Sequence, residues 1–537
     1  MIHLKDQRGE IENTFTFLYG KSGTGKTLAV ESLIEEYKRA GYTILVLSDV
    51  KDEWEMGFSM FEPRKPYHLY HLRKIGKPIQ TQQVKLYHPF TFRIPANEKL
   101  PEINFYGFSL KELRRTEWSM IAETSTESDT IRLLLNACNS INKSDGLYSF
   151  LHLVRDSIKK IPTKGKHTHY DPKNFYLDTA PATAKSLQDI SSYLIPFKED
   201  HFLVADNSFL KLDWKNILND NSCYHVFGTY WIQDEKLKDF TILALFNSIL
   251  RNKQYAKKPV LIVIPEIRFL VPFKVEGYKR FLADAIKSNL SVMRNMGRGF
   301  SGIFDSQIFS DVDEDVRNSS TFTCFGELGG AGDIEKISKA MGYRREIRDM
   351  LKKMDYRNSY LVQGKEDSGS FTLWFPGHCH KEPEYNFFEM YRSHFPDKLT
   401  SYREIYDRVK KQFQQEEDLF REKVKKRIKE EQEIEEAKRQ ERENKSSGKI
   451  EEVKEELTKI KQMSILEKKE SLYMDKIQNP NSSFRQLAEK YKTTHITAKK
   501  WFLEMQDKRK QDIVKDDLGI KDELLEGTNY QAEVDSQ

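Results

Sequence analysis

An apolar run, Phe15 to Tyr19, is followed at once by GKSGTGKT, Gly20 through Thr27, and then by the helix-patterned stretch Leu28 to Arg39. Glycines at 20, 23 and 25 let the backbone turn tightly enough for successive N–H groups and a helix N-terminus to surround an anion. The whole segment, Gly20, Lys21, Ser22, Gly23, Thr24, Gly25, Lys26 and Thr27, therefore reads as a phosphate cradle. Lys26 would reach the β- and γ-phosphates, and Thr27 offers the hydroxyl that ligates Mg²⁺. Strand, glycine loop and helix stand in the order this chemistry needs, which argues against a chance match to the bare pattern. The expected ligand is a nucleoside triphosphate, ATP with Mg²⁺.

A chain of 537 residues is too long for one core and predicts three or four units. With 38% apolar and 31% charged residues, it fits a globular front part joined to something highly solvated. The net charge of +5 says nothing about a polyanion partner until it is divided by region. Cys138, Cys223, Cys324 and Cys379 are too scattered for a disulfide framework, so a reducing, cytoplasmic setting is expected. His378-Cys379-His380 has no second ligand pair at zinc spacing and reads as a structural or surface element. No signal peptide is visible and no apolar run approaches the roughly 20 residues that span a bilayer, so a soluble protein without membrane insertion is expected.

Tyr42 to Leu47 reads as a second strand leading into SDVKDEWE, Ser48 to Glu55. Ligands gather at the carboxyl ends of strands in open parallel sheets, which puts Asp49, Lys51 and Glu53 near the nucleotide and makes Asp49 a candidate metal-side carboxylate. Residues 67–213 read as a mostly helical insertion, with helical patterns over Leu110 to Glu123, Thr130 to Ile141 and Leu147 to Lys160. Strand patterns return at Cys223 to Gly228, Pro259 to Ile264, Phe300 to Asp305 and Thr321 to Phe325, with helical stretches between them. Such alternation predicts an α/β core, residues 1–66 and 214–395, built on a mainly parallel sheet. Ser359 to Gln363 and Ser370 to Phe375, separated by a turn-rich segment, read as an edge hairpin.

Beyond about residue 400 the chain is dominated by Lys, Glu, Arg and Gln. A thin apolar seam through Ile405, Val409, Phe413, Leu419 and Val424 predicts a long helix or coiled coil over 400–470, broken at Asn444 to Gly448. A solvated single helix remains the alternative, and a partner protein could dock on this arm. Residues 471–510 follow as a helix-turn-helix pattern. Ser483 caps a first helix with Gln486 reaching back, and a turn at Lys492-Thr493 leads into a second helix, Thr494 to Gln506, with Ile496, Trp501 and Phe502 inward. Ser471 to Lys510 carries nine Lys or Arg against four acids. Lys492, Thr494, His495, Lys499 and Lys500 are the candidate DNA contacts, with a protein-binding helical hairpin as the alternative. Residues 511–537 are acidic and poor in aromatics, and read as a disordered tail.

An ATPase needs a second acidic strand end, one carboxylate supporting Mg²⁺ and another polarising water. PVLIVIPEIRFL, Pro259 to Leu270, ends in Glu266 as the water-activating carboxylate, but Pro265 occupies the metal-supporting position. The next strand ends in IFDSQ, where the amide of Gln307 suits a sensor of the γ-phosphate. Arg294 and Arg298, flanking Asn295-Met296-Gly297, are candidate arginine fingers for a neighbouring subunit's triphosphate.

The order of these motifs, GKSGTGKT, LVLSDVKDEWE, LIVIPE, then RNMGRGFSGIFDSQ followed by Asn318, resembles the HerA/FtsK superfamily of ring-forming DNA-pumping ATPases. The likeness spans roughly Asn13 to Lys51 and Cys223 to Phe375, and rests on motif order. It implies a RecA-like P-loop core in which Lys26 and Thr27 bind phosphate and Mg²⁺, Glu266 is the catalytic carboxylate and Gln307 the sensor. It also implies a homo-oligomeric, hexameric ring acting on double-stranded DNA. Pro265 departs from the family's acidic pair and puts turnover in question. The early position of the loop predicts neither the N-terminal barrel of HerA nor the membrane anchor of FtsK, so a soluble motor encoded by a virus or plasmid is expected. Two alternatives stay open: a nucleotide-switched DNA-binding adaptor that barely hydrolyses ATP, and an assembly ATPase of the zonular-occludens-toxin type.

Overall fold

The computed structural model describes residues 13–47, 54–62, 66–74, 76–147, 149–151, 153–154, 194, 197, 202–295, 299–340, 345–353, 359–364, 370–373 and 386–518. Its backbone divides into two units, 1–421 and 422–537.

The first unit is built on a sheet with ten strands among the described residues. These are β1 (Phe15–Tyr19), β2 (Thr43–Leu47), β3 (Val84–Pro89), β4 (Ile103–Tyr106), β5 (Tyr224–Phe227), β6 (Val260–Ile264), β7 (Phe300–Ser306), β8 (Phe322–Phe325), β9 (Ser359–Gly364) and β10 (Ser370–Leu373). Their spatial order is β10-β9-β8-β1-β7-β6-β2-β5-β3-β4. The eight strands from β8 to β4 run parallel, while β9 and β10 form an antiparallel edge pair. This is the expected mainly parallel α/β fold with its edge hairpin.

Parallel strands covered on both faces should be apolar at every position, and β1, β2 and β6 are buried throughout. Alternate residues divide between two cores. Phe15, Phe17, Ile262, Ile264 and Phe304 meet helices α4 (Glu235–Arg251) and α5 (Tyr278–Asn295), together with α2 (Arg115–Ala122) and α3 (Asp129–Ser140). Leu18, Ile44, Val46, Leu261, Val263 and Ile303 meet α1 (Lys26–Arg39) and α8 (Phe387–His394) on the other face. Two smaller helices, α6 (Ala331–Ala340) and α7 (Arg345–Lys353), follow β8.

The stretch 67–213, expected to be mostly helical, holds helices over Pro66–Lys74, Arg115–Ala122 and Asp129–Ser140 among its described residues, yet it also carries strands of the main sheet. It supplies α2 and α3, but also β3 and β4, which extend the main sheet beyond β5. Burial decides this: Leu86 to Pro89 are buried beside β5, although KLYHP and INFY lack a clean alternation. Residues 155–193, with most of the third predicted helix, lie outside the described residues, as do His378, Cys379 and His380.

The charged arm is one helix, α9 (Arg403–Gln462), with no break at Asn444 to Gly448. A single interior glycine costs only about 1 kcal/mol, which a long helix absorbs. The stop falls instead at Ser464, whose hydroxyl accepts from Glu467 N–H while the Glu467 carboxylate accepts from Ser464 N–H, a reciprocal cap that starts α10 (Ile465–Gln478).

In the second unit α10, α11 (Phe484–Lys490) and α12 (His495–Leu518) pack around Leu472, Leu487, Ala488, Tyr491 and Ala498. Ser483 and Gln486 form the expected capping box. Ile496 does not face inward; it is 69% exposed, and Ala498 and Met505 are buried in its place. Trp501 and Phe502 pack partly against the core. The helix runs through 511–518, where a disordered tail is expected from the sequence, and 519–537 lie outside the described residues.

Candidate nucleotide site

Gly20 leaves β1 at the carboxyl end of the sheet, its N–H donating to Ser306 O of β7 at 3.3 Å. Lys21 N–H donates to Glu327 O at 2.7 Å, and the Lys21 ammonium pairs with the Glu327 carboxylate. Gly23 and Gly25 then take φ of +82° and +85°, conformations that an L side chain resists, and Gly25 opens α1. No acidic residue stands in the first turn of α1, so the positive end of the helix faces the loop without a carboxylate of its own.

The Lys26 ammonium is buried and folds back over the loop, donating to Gly20 O at 2.8 Å and Lys21 O at 3.3 Å. Thr24 Oγ1 donates to Lys21 O at 2.9 Å. Ser22 and Gly23 are exposed at the rim, and Thr27 is half-buried in the first turn of α1. Gly20 and Lys21 thus root the loop on its neighbours, and the turn from Ser22 to Thr27, closed by the one ammonium, is suited to a polyphosphate.

Beside this loop, β6 ends at Ile264, and Glu266 sits at φ 47°, ψ 49°. A non-glycine residue in this left-handed region carries about 1–2 kcal/mol of strain, which here aims a 6%-exposed carboxylate off the end of the strand. Gln307 Nε2 donates to Glu266 Oε1 at 2.6 Å, so the two residues predicted from separate strands meet directly. Arg268, which sequence reasoning passed over, completes the cluster: its Nε lies 3.2 Å from Glu266 Oε2 and its Nη2 donates to Gln307 Oε1 at 3.5 Å. Its Nη1 also lies 3.7 Å from Asp311 Oδ2. Asp305, likewise missed, accepts the Glu266 N–H at 2.8 Å. The only sequence signal for Arg268 was its place two residues after Glu266; for Asp305 it was a carboxylate inside IFDSQ.

Other predicted residues do not join this group. Asp49, Lys51, Glu53 and Arg298 lie outside the described residues. Arg294 is exposed in the last turn of α5, where neighbouring Met293 O accepts from Asn13 Nδ2 at 3.5 Å ahead of β1. That is the amino edge of the sheet, opposite the loop. In the second unit, Lys492, Thr494, His495, Lys499 and Lys500 are all exposed around the start of α12, and Thr494 Oγ1 accepts the Thr497 N–H at 3.2 Å. Among the described residues no helix is long and apolar enough to cross a membrane.

No protein-family model matches the chain, and no curated protein does. Solved structures similar to it include VirB4 of Thermoanaerobacter pseudethanolicus, with 12% identity and a TM-score of 0.39 over 69% of this chain and 90% of that one. The bacterial conjugative coupling protein TrwB gives 12% identity and 0.42 over 69% and 87%. The genome packaging NTPase B204 of Sulfolobus turreted icosahedral virus 2 gives 11% and 0.28 over 68% and 96%. At these identities and scores the functional reading rests on the site's own residues.

Proposed function

We propose that this chain hydrolyses ATP and uses the energy to move or handle double-stranded DNA, as a homo-oligomeric motor of the HerA/FtsK type. The observation that carries the reading is the meeting of Glu266 and Gln307 at 2.6 Å, on strand ends beside a complete phosphate loop. Backbone N–H groups of the loop beyond Lys21 bind the phosphates, those of Gly20 and Lys21 being held by Ser306 O and Glu327 O, and Lys26 exchanges its loop carbonyls for phosphate oxygens. Thr27, with its hydroxyl in the first turn of α1, is the residue of the loop that would hold Mg²⁺, and Asp49 is a further candidate. Bound there, the ion would neutralise charge on the phosphate oxygens.

Glu266 takes a proton from water as the water oxygen attacks the γ-phosphorus and the bond to the β–γ bridging oxygen breaks. Gln307 positions that water, and Arg268 holds the Glu266 carboxylate in place. Arg294, on the opposite edge of the sheet, reaches a triphosphate only if it belongs to a neighbouring subunit, which is the role proposed for it together with Arg298. The basic start of α12 contacts DNA phosphates through Lys492, Thr494, His495, Lys499 and Lys500.

Phosphate release should rise when duplex DNA is added and vanish in Lys26→Ala and Glu266→Gln. Light scattering with a non-hydrolysable analogue should show a ring-sized assembly. Replacing Lys499 and Lys500 together by Ala should lower the salt dependence of DNA binding, each lost phosphate contact reducing the slope by about 1. The alternative, a nucleotide-switched adaptor that holds ATP with little hydrolysis, draws on Pro265, which leaves position 265 without a carboxylate. It would show nucleotide-dependent DNA binding unaffected by Glu266→Gln.

A further inference from the structure

Proline at 265 removes a carboxylate from the end of β6, yet the sheet supplies one in the same row. Ile264 of β6 pairs with Phe304 of β7, so the next step along the two parallel strands sets Pro265 beside Asp305. On its other side β7 pairs with β1, and there Asp305 is level with Leu18, two residues before the loop begins. Because β7 lies between β6 and β1, position 305 is one strand nearer the phosphate loop than position 265.

The face is also right. Phe304 packs with Phe15 and Phe17 in the core away from α1, whereas Ile303 lies in the core that α1 covers. Strand alternation sends Asp305 to the side of Ile303, the side from which α1 presents Lys26 and Thr27. Asp305 is only 9% exposed. Its Oδ1 is the acceptor for the Glu266 N–H at 2.8 Å, and Ser306 O, next in the chain, accepts from Gly20 N–H. One residue therefore touches the backbone of the proposed base and adjoins the root of the phosphate loop.

We infer that Asp305 is the metal-supporting carboxylate of this site: the acid absent at 265 has moved to the neighbouring strand, where with Thr27 it holds the Mg²⁺ of the bound nucleotide and also anchors Glu266. The inference rests on the nucleotide reading above. It differs from that reading in assigning Asp305 an ionic role, where a purely structural role would need only a hydrogen-bond acceptor.

The test uses the full chain, ATPγS and Mn²⁺ as a spectroscopic stand-in, with metal binding followed by electron paramagnetic resonance and nucleotide binding by calorimetry without metal. Asp305→Asn keeps an acceptor for Glu266 N–H and removes the charge. It should not weaken metal-free nucleotide binding, since one negative charge beside the phosphates is gone, and should weaken Mn²⁺ binding to the nucleotide complex by about tenfold or more, the scale typical of lost metal-supporting groups. Adding Pro265→Asp to that variant should restore a large part of the Mn²⁺ affinity, which also shows that the loss was not misfolding. Mn²⁺ affinity unchanged in Asp305→Asn would overturn the inference, as would turnover kept in Asp305→Asn but lost in Asp305→Ala, since both describe a backbone anchor. Absence of nucleotide binding by the unmodified chain would instead remove the nucleotide reading, and the metal-free calorimetry detects that separately.

Discussion

Replacing Glu266 by Ala and, separately, by Gly isolates the strain stored at the proposed catalytic strand end. Both substitutions remove the same carboxylate, with its contacts to Gln307 and Arg268, so those losses cancel in the comparison. What differs is the backbone at φ 47°. Alanine in the left-handed region costs roughly 1–2 kcal/mol that glycine avoids. Glycine loses about 0.4–1 kcal/mol more conformational freedom on folding. The difference leaves the Gly variant more stable by about 0.5–1 kcal/mol, whereas at an ordinary position alanine would be favoured by a similar amount. Urea unfolding of the two proteins under identical conditions reads this directly from their midpoints. Equal stability, or a more stable Ala variant, would refute the claim that Glu266 is held under strain by its surroundings. Neither variant should release phosphate, and both should keep ATP affinity within a few-fold, because the loop itself is untouched.

Lys26→Met should abolish ATP binding and loosen the loop, since the ammonium also ties Gly20 O and Lys21 O; calorimetry and proteolysis of the loop would report the two effects. Gln307→Glu would set a second carboxylate where an amide now donates to Glu266 at 2.6 Å, replacing a hydrogen bond by the repulsion of two like charges. Phosphate release should then fall below that of Gln307→Ala, which a steady-state comparison of the two variants would show. His88 is fully buried, with Nδ1–H donating to Pro89 O at 2.6 Å and Nε2 accepting from Trp231 N–H at 3.1 Å; burial pushes its pKa down to about 3. The unfolded chain protonates this imidazole near 6.5 and the folded chain does not until about 3, so stability should fall as pH drops through that window. Urea midpoints of the unmodified protein and His88→Gln, compared between pH 7 and 4, should converge as the pH falls.

The phosphate loop and the central strands were legible because their signals are local. A parallel strand buried on both faces reads as a near-continuous apolar run, and FTFLY, TILVL and VLIVI, polar only at Thr16 and Thr43, say so without any neighbour. β3 and β4 were missed because KLYHP and INFY mix polar and aromatic residues in short runs, and only the exposed edge of β5 makes strands of them. The arm shows a converse error. Asn444 to Gly448 is rich in helix breakers, but breakers only weaken a helix, whereas the Ser464–Glu467 cap stops it by satisfying donors of the next one. Ile496 failed for want of phase, since the apolar side of α12 is set by Leu472 and Leu487 on two other helices.

The same distinction explains the site. Glu266 and Gln307 could be predicted because each follows an apolar strand and carries its chemistry in its own segment. Asp305 could not, because its meaning comes from a register between strands some forty residues apart, and Pro265 read alone looks like a lost carboxylate. A sheet fixes which strand ends are level, and it does so regardless of which of two adjacent strands carries the acid. An acid at the end of β7 therefore serves the row in which the end of β6 carries proline, and position 265 is left to lead the chain into the strained Glu266. Proline suits position 265, since it needs no ladder hydrogen bond just past the strand and stiffens the approach to the left-handed turn.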